Sequence, residues 1–324
     1  MKRVIILTTV LALFAVPCLS QMSKEGVFTM SLPAIGWALQ IDLKGFEFKG
    51  MELQPDCKGQ KMFAVNEKSG VVISAFLEKA DRPGDAVECR KFYWDKAKKS
   101  PVVKSDVTLK VFAGAPVVQY VIKEHEGRKI EQGNLNAYYS KDGYWVDVHL
   151  SKVKFSEADL PLFNEVLDSV KFVEKYQPTR TDCFRYGSMF FLARDYKNAI
   201  TWYQKFYDME QAERQADIAF WRVAVDNLGM AYGLTGDIRR SRQIYEAAIA
   251  KDPEYPSFYY NLACGYAEES NREKALANLE KAIEFQDNLV KGDKFPDPTT
   301  DSSFKKYVND DKFKALVKKI KIRK

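Results

Sequence analysis

A repeat of 34 residues limits what the second half of this 324-residue chain can fold into. The segment Leu228–Tyr232 (LGMAY) recurs 34 positions later as Leu262–Tyr266 (LACGY). At the same offset, Tyr245 corresponds to Leu279 and Ala248 to Ala282. Such a period is typical of stacked helix pairs, each of which buries its apolar face against the next pair. Gly229 and Ala263 are small where the helices of a pair have to approach closely.

A further unit precedes these two, with Gly187 in the place of Gly229, but it lies 42 residues upstream. The eight extra residues correspond to about two helical turns, and residues 210–220 contain neither Gly nor Pro. The sequence therefore predicts that the second helix of the first unit and the first helix of the second unit are both lengthened. Within a helical domain of residues 180–324, we expect three helix pairs over about 180–213, 222–255 and 256–289, and a C-terminal cap over 303–324.

These units resemble tetratricopeptide repeats. The matching positions are Leu228, Gly229, Tyr232, Tyr245, Ala248 and Pro253 in one unit, and Tyr259, Leu262, Ala263, Tyr266, Ala275 and Ala282 in the next. The sequence departs from the family pattern at Ser241, which replaces an alanine, and near Asp287, where the closing proline is missing. The resemblance implies an all-α solenoid in which the first helix of each unit lines a concave groove for a protein or peptide partner.

The resemblance also implies which residues line this groove. The sixth position of each unit falls on Arg185, Asn227 and Asn261, and in peptide-binding members of the family an Asn here often bonds the backbone of an extended ligand. An amide suits that role because it donates and accepts at once. Neighbouring positions expected to share the surface are Ser188, Asp226, Met230 and Tyr260. The alternative is that these are scaffold residues of a groove without a ligand.

Residues 22–175 are predicted to form an α+β domain, an antiparallel sheet with two helices. Apolar side chains alternate with polar ones in stretches such as Tyr144–Leu150, the pattern of a half-buried strand. One helix is expected to begin at Asp85 and another at Ser156, where Asp159 completes a capping box. The layout of residues 26–173 resembles the PsbP/Mog1-like fold, which implies a binding or assembly module without catalytic activity.

The most reactive group in this domain is the pair Asp147 and His149, which share one face of a strand with Trp145 and Ser151. Asp147 could orient His149 as a general base, in a hydrolase or isomerase. The alternative is a polar sheet face on which His149 only hydrogen-bonds Asp147. The chain has two histidines, and neither has a second His or a Cys at metal-ligand spacing. We therefore expect no catalytic residue, no metal and no cofactor.

Two of the cysteines are candidates for a disulfide. Cys57 and Cys89 belong to the same predicted domain, and they either form a bridge or remain two buried thiols. Cys183 and Cys264 lie on the first helices of units one and three, roughly 20 Å apart at about 10 Å per packing step. That distance is too long for a disulfide, so we expect both to be buried free thiols.

Residues 1–20 have the features of a cleaved export signal: a basic start at Lys2 and Arg3, the apolar run Val4–Val16, and small residues before the Ser20–Gln21 bond. A retained membrane anchor is the less favoured alternative, because a spanning helix needs about 20 apolar residues. We expect cleavage after Ser20 and a periplasmic or secreted protein with no integral membrane segment. Without Lys2 and Arg3 the formal charge of +6 becomes +4, too small to indicate a nucleic-acid partner.

Three functions are compatible with these features. The favoured one is a non-enzymatic exported adaptor that binds a partner segment in its groove. The second is an enzyme centred on Asp147 and His149. The third is a structural role, in which a short linker at residues 176–179 lets the two domains dock rigidly within an assembly.

Overall fold

The computed structural model describes residues 22, 23, 25–54, 58–290 and 293–321, which form two compact units divided between Pro178 and Thr179. The predicted export signal, residues 1–20, lies outside the described residues, and so does Cys57.

The described residues of the first unit form two antiparallel sheets. The strands, in chain order, are β1 (Val27–Met30), β2 (Trp37–Asp42), β3 (Glu47–Leu53), β4 (Gly59–Asn66), β5 (Val71–Lys79), β6 (Ser105–Phe112), β7 (Ala115–His125), β8 (Arg128–Lys141), β9 (Tyr144–Lys152) and β10 (Lys171–Glu174). Seven strands follow the order β3-β4-β5-β9-β8-β7-β6, and three strands follow the order β1-β2-β10. The tight turn between β8 and β9 has positive φ at both Asp142 and Gly143, which matches the twist of the two strands.

The main core of this unit lies between the two sheets. On β5 every second side chain is buried, beginning with Val71 and ending with Leu77, and these side chains join Val148 of β9 in one cluster. Leu39 of β2 packs into it from the small sheet, together with Phe163 of α2 (Leu160–Asp168). The alternation of apolar and polar residues in the sequence therefore predicts which face of each strand is buried in the core.

The opposite face of the large sheet carries helix α1 (Ala86–Lys98), which packs on β7, β8 and β9. As predicted, Asp85 caps this helix and accepts hydrogen bonds from the amides of Val87 and Glu88. Beneath α1 lies a second apolar cluster that includes Cys89, Tyr138 and Trp145. Helix α2 follows a short 3₁₀ helix at Glu157–Asp159 that is capped by Ser156. The predicted α+β fold with two helices is thus confirmed, and its strands divide into two sheets.

The second unit consists of paired helices, as predicted. These are α3 (Arg180–Leu192), α4 (Tyr196–Ala212), α5 (Ile218–Leu234), α6 (Ile238–Lys251), α7 (Pro256–Glu268) and α8 (Arg272–Glu284). Helices α4 and α5 have 17 residues each, whereas α3, α7 and α8 have 13, so the extra residues are divided between α4 and α5. Their connection is fixed by the buried Glu210, whose carboxylate accepts from the amides of Gln215 and Ala216, both at 3.1 Å.

The C-terminal cap has two parts. A 3₁₀ helix at Ser302–Tyr307 packs on α7, and α9 (Asp311–Val317) packs on α8. Asp310 caps α9 by accepting from the amide of Phe313 at 3.1 Å. Among the described residues no helix combines the length and the apolar character needed to cross a bilayer.

Within the first two helix pairs, a tyrosine ring of the second helix lies against a glycine of the first. A Cβ atom on Gly187 would lie 2.7 Å from the ring of Tyr203, and one on Gly229 would lie 2.4 Å from Cζ of Tyr245. Neither distance leaves room for a methyl group, so glycine is required for this spacing of the helices.

We predict that Gly229→Ala lowers the free energy of unfolding by about 1–3 kcal/mol, because its methyl group overlaps the Tyr245 ring. Gly233→Ala, on the same helix, is the control. Its methyl group would be 3.5 Å from the nearest atom. This substitution should therefore raise the free energy of unfolding by about 0.5–1 kcal/mol, through the higher helix propensity of alanine alone. Urea unfolding followed by far-UV circular dichroism measures both, and equal effects of the two substitutions would contradict the close-contact interpretation.

Candidate functional site

The candidate site is the surface of the first helices of the three pairs. Helix α5 packs against α3 on one side and α7 on the other. All seven residues predicted to line the groove lie on these three helices: Arg185, Ser188, Asp226, Asn227, Met230, Tyr260 and Asn261. Their contacts divide them into residues that hold the helices together and residues that remain half-buried at the surface.

Ser188 and Asn227 belong to the first group. The Tyr203 hydroxyl donates to Ser188 Oγ at 2.9 Å and accepts from Asn227 Nδ2 at 2.8 Å. Ser188 Oγ in turn donates to the carbonyl of Phe184 at 2.9 Å. All three linked side chains are buried. The Asn227 amide therefore connects α5 to α4 and is directed into the interior.

Asp226 and Asn261 form a second pair, between α5 and α7. Asn261 Nδ2 donates to Asp226 Oδ1 at 2.6 Å, and both residues are half-buried. Tyr245 Oη donates to the backbone carbonyl of Asp226 at 2.9 Å. Burial raises the pKa of Asp226 to about 7, the hydrogen bond from Asn261 opposes that rise, and the charge of Asp293 adds to it. A carboxyl group at this position changes charge near neutral pH.

Tyr260 is covered by the segment of the chain that follows the last helix pair. Its hydroxyl donates to Asp301 Oδ2 at 3.0 Å, and its ring contacts Phe295 and Phe304 at centroid distances of 5.7 and 5.8 Å. Cys264, one turn along α7, has its Sγ 3.7 Å from the same Asp301 oxygen. We call residues 293–304 the covering segment. It occupies the surface of the third unit on which the resemblance placed a ligand.

Arg185 and Met230 complete the predicted set. Arg185 is largely buried and forms an ion pair with Asp182 at 3.0 Å, with its guanidinium 5.0 Å from the centre of the Tyr186 ring. Asp182 also completes the capping box of α3 with Thr179. Met230 is half-buried on α5.

The half-buried part of this surface is acidic. Asp226 lies at its centre, and burial raises the pKa of Asp293 as well. Asp293 Oδ1 is buried without a hydrogen-bond donor, whereas Asp301 receives the Tyr260 hydroxyl. Such a surface can accept hydrogen bonds from a cationic group, since an ammonium or guanidinium donates several at once. Within the described ranges, His, Cys, Asp and Glu do not form a cluster that fits a metal ion.

Asp147 and His149 do not bond each other in this structure. Asp147 Oδ1 accepts from Asn136 Nδ2 at 2.9 Å, whereas His149 Nε2 lies 3.1 Å from Asn134 Oδ1. Burial raises the pKa of Asp147 to about 7, with Asn136 opposing and Glu78 adding to the rise. Burial, reinforced by the charge of Lys61, lowers the pKa of His149 to about 4. The histidine is therefore neutral near pH 7.

The surroundings of the pair favour the structural interpretation. Two cavities of the first unit have volumes of about 460 and 420 Å³. The first is lined by Trp94, Lys98, residues 100–104 and Val107, the second by residues 49–52 and 61–63, and neither is lined by Asp147 or His149. Each member of the pair makes one hydrogen bond to an asparagine of β8. Cross-strand amides account for the polar face without a catalytic role.

The cysteine predictions have different outcomes. The Cys57–Cys89 disulfide remains a prediction because Cys57 lies outside the described residues. Cys89 is buried on the face of α1 that packs on the sheet, with its Sγ 3.8 Å from the carbonyl of Val146, and burial raises the pKa of its thiol. Cys183 and Cys264 are free thiols, the first buried and the second half-buried.

Two contributors to this surface are not visible in the repeat pattern. The first is the pair of hydroxyl groups of Tyr203 and Tyr245, which bond the inner helices. The second is the covering segment, whose signal in the sequence is the aromatic Phe295 between Lys294 and Pro296.

Comparison with known proteins agrees with the repeats. The profile of the tetratricopeptide repeat matches residues 224–255 and 256–288. The second half of this chain contains tetratricopeptide repeats. The first helix pair, α3 and α4, lies outside the matched residues and shares the contact between glycine and tyrosine. No curated protein matches the chain at a significant level.

Three solved structures show partial similarity. The match to the Sgt2 TPR domain of Aspergillus fumigatus has 18% sequence identity and a TM-score of 0.31, and it covers 44% of this chain and 80% of that domain. Cyanobacterial PsbP from Synechocystis is 13% identical over 46% of this chain and 94% of that protein, with a TM-score of 0.32. A structure from Bacteroides thetaiotaomicron is 8% identical over 61% of this chain and 72% of that chain, also with a TM-score of 0.32. At these TM-scores none of the three similarities bears on the fold or the function of this chain.

The buried carboxyl group of Asp226 can be tested through the pH dependence of stability. Because its pKa of about 7 in the folded protein exceeds the 3.8 of an ordinary Asp, the folded protein retains a proton between about pH 4 and 7 that the unfolded chain releases. Stability therefore falls as the pH rises through this window. Asn stays neutral and keeps an oxygen for Asn261. The free energy of unfolding of the Asp226→Asn protein, relative to that of the wild-type protein, should therefore increase by about 1–3 kcal/mol from pH 4 to pH 8.

Urea unfolding at the two pH values measures this difference. Asp81→Asn, at an exposed position, is the matched control and should leave the pH dependence as it is in the wild-type protein. An Asp226→Asn protein with the wild-type pH dependence would show that the carboxyl group is well solvated.

Proposed function

We propose that this protein is a non-enzymatic exported adaptor, which binds an extended segment of a partner protein on the inner helices of its tetratricopeptide repeats. The observation that carries the proposal is the match of residues 224–288 to the repeat, together with the half-buried row of Asp226, Met230 and Asn261 on the inner helices. Tetratricopeptide repeats present such rows to protein partners.

We further propose that the bound segment carries a lysine or arginine. Asp226 and Asp293 lie in the half-buried part of this surface, where burial raises the pKa of both carboxyl groups, and a cation bound beside them would favour their charged forms. Arg222, one turn before Asp226 on α5, is paired with Asp252, and Arg185 on α3 is paired with Asp182. A basic side chain of the partner would therefore meet uncompensated acidic groups, whereas an acidic one would be repelled.

The binding surface can be tested by site-specific photocrosslinking in the source cell. A photoreactive amino acid at Met230 should crosslink to a partner, because Met230 lies beside Asp226 on the proposed surface. The same amino acid at Gln243, an exposed position on the second helix of that pair, is the control and should give no specific product.

Asp226→Asn, added to the variant with the photoreactive amino acid at Met230, tests the preference for a basic side chain of the partner. Loss of one charge-assisted hydrogen bond is worth about 1.5–3 kcal/mol, so the crosslinked product should fall roughly tenfold. Equal products from Met230 and Gln243 would contradict the proposed surface. A strong Met230 product that is unchanged by Asp226→Asn would retain the surface and contradict the basic ligand.

Export is also a proposal, supported by the sequence pattern of residues 1–20. N-terminal sequencing of the protein purified from its source cell should begin at Gln21. A mature chain that still begins at Met1 would contradict cleavage after Ser20.

A further inference from the structure

Strand β6 ends the seven-stranded sheet, and within the described residues it has a strand neighbour, β7, on one side only. Its other edge carries backbone amide and carbonyl groups that can pair with a further strand. Val107, Leu109 and Val111 are 45%, 56% and 71% exposed. Natural edge strands are usually protected by charged residues or prolines, so an apolar edge of this kind indicates an interaction surface.

The three side chains lie on one face of the sheet. Leu109 is directly opposite Val118 of β7, and Val118 belongs to the apolar cluster beneath α1. Val111 is opposite Pro116. Val107 follows an irregularity in the β6–β7 pairing and lines the cavity of about 460 Å³ beside Trp94. The apolar row therefore continues the α1 side of the sheet out to its edge.

The sequence of this row is symmetric about its centre. Residues 107–111 read Val-Thr-Leu-Lys-Val, with apolar residues at both ends and in the middle. We propose that β6 pairs antiparallel with β6 of a second copy of this chain, about a two-fold axis through Leu109. This inference concerns the sheet-containing unit that ends at Pro178 and does not depend on the proposed function of the repeats.

The proposed register matches the apolar residues with one another. Leu109 faces Leu109 of the other copy, and Val107 faces Val111 in both directions, so the exposed apolar row of each copy covers that of the other. Residues directly opposite in an antiparallel pair share a face and lie within contact distance. A two-fold axis buries the same patch on both copies, which is the commonest arrangement in soluble oligomers.

Charged residues are compatible with this register. Lys110 faces Thr108 of the other copy, and Lys104 faces Gly114, so no lysine is placed directly opposite another. A two-fold axis through Thr108 would also pair residues that share a face of the sheet. It would place Val111 opposite Ser105, however, and leave that valine without an apolar partner.

The dimer can be tested by size-exclusion chromatography with light scattering on the mature chain. An interface of this small size should give a dimer at concentrations on the order of 10–100 µM, and Leu109→Lys should shift the mass to that of a monomer. Val153→Lys, at a position 50% exposed outside the row, is the control and should dimerise like the wild-type protein. A wild-type protein that stays monomeric, or a Leu109→Lys protein that dimerises equally well, would overturn the proposal.

The register can be tested by disulfide crosslinking. The Cα atoms of directly opposite residues are about 4.5–5.5 Å apart, within the range of a disulfide. Under copper–phenanthroline oxidation, Leu109→Cys should give a covalent dimer on a non-reducing gel, above the level that the native cysteines give in the wild-type protein. Thr108→Cys should stay at that level. A covalent dimer from Thr108→Cys, or none from Leu109→Cys, would overturn the pairing about Leu109.

Discussion

The repeat domain depends on the contact between a tyrosine ring and a glycine in each of its first two helix pairs. Tyr203 against Gly187 and Tyr245 against Gly229 set the distance between the paired helices. The same rings carry their hydroxyls to the inner surface, where Tyr203 bonds Asn227 and Tyr245 bonds the backbone of α5. Tyr203 thus fixes both the spacing within its pair and the position of the next inner helix, whereas Tyr245 bonds the inner helix of its own pair.

The third pair is built differently. Alanine at 263 and leucine at 279 replace the glycine and the tyrosine, and both are buried. No hydroxyl from the second helix is then available to the inner surface at this position. Tyr260 and Asp301 supply the polar contact instead, through a hydrogen bond across 41 positions of the chain. The covering segment therefore completes the last unit where the repeat pattern ends.

The sequence was sufficient for features that depend on local periodicity. The 34-residue offset predicted the helix pairs, and the eight-residue excess predicted the two long helices α4 and α5. It also predicted that Asp147 and His149 share a sheet face. Partners that come from distant strands or segments could not be predicted in this way. Asn134 and Asn136 pair with β9 through the hairpin register, and the amide of Asn227 turns inward because Tyr203 is there to accept it.

The covering segment sets an upper limit on the length of any ligand. Because this segment covers Tyr260 of α7, the open surface runs from α3 to the near side of α7, roughly 20 Å at about 10 Å per step between helix axes. An extended chain advances about 3.3–3.6 Å per residue, so the open surface has room for only about six residues. A recognition motif of that length is comparable to a short linear motif, and its specificity would rest on two or three side chains.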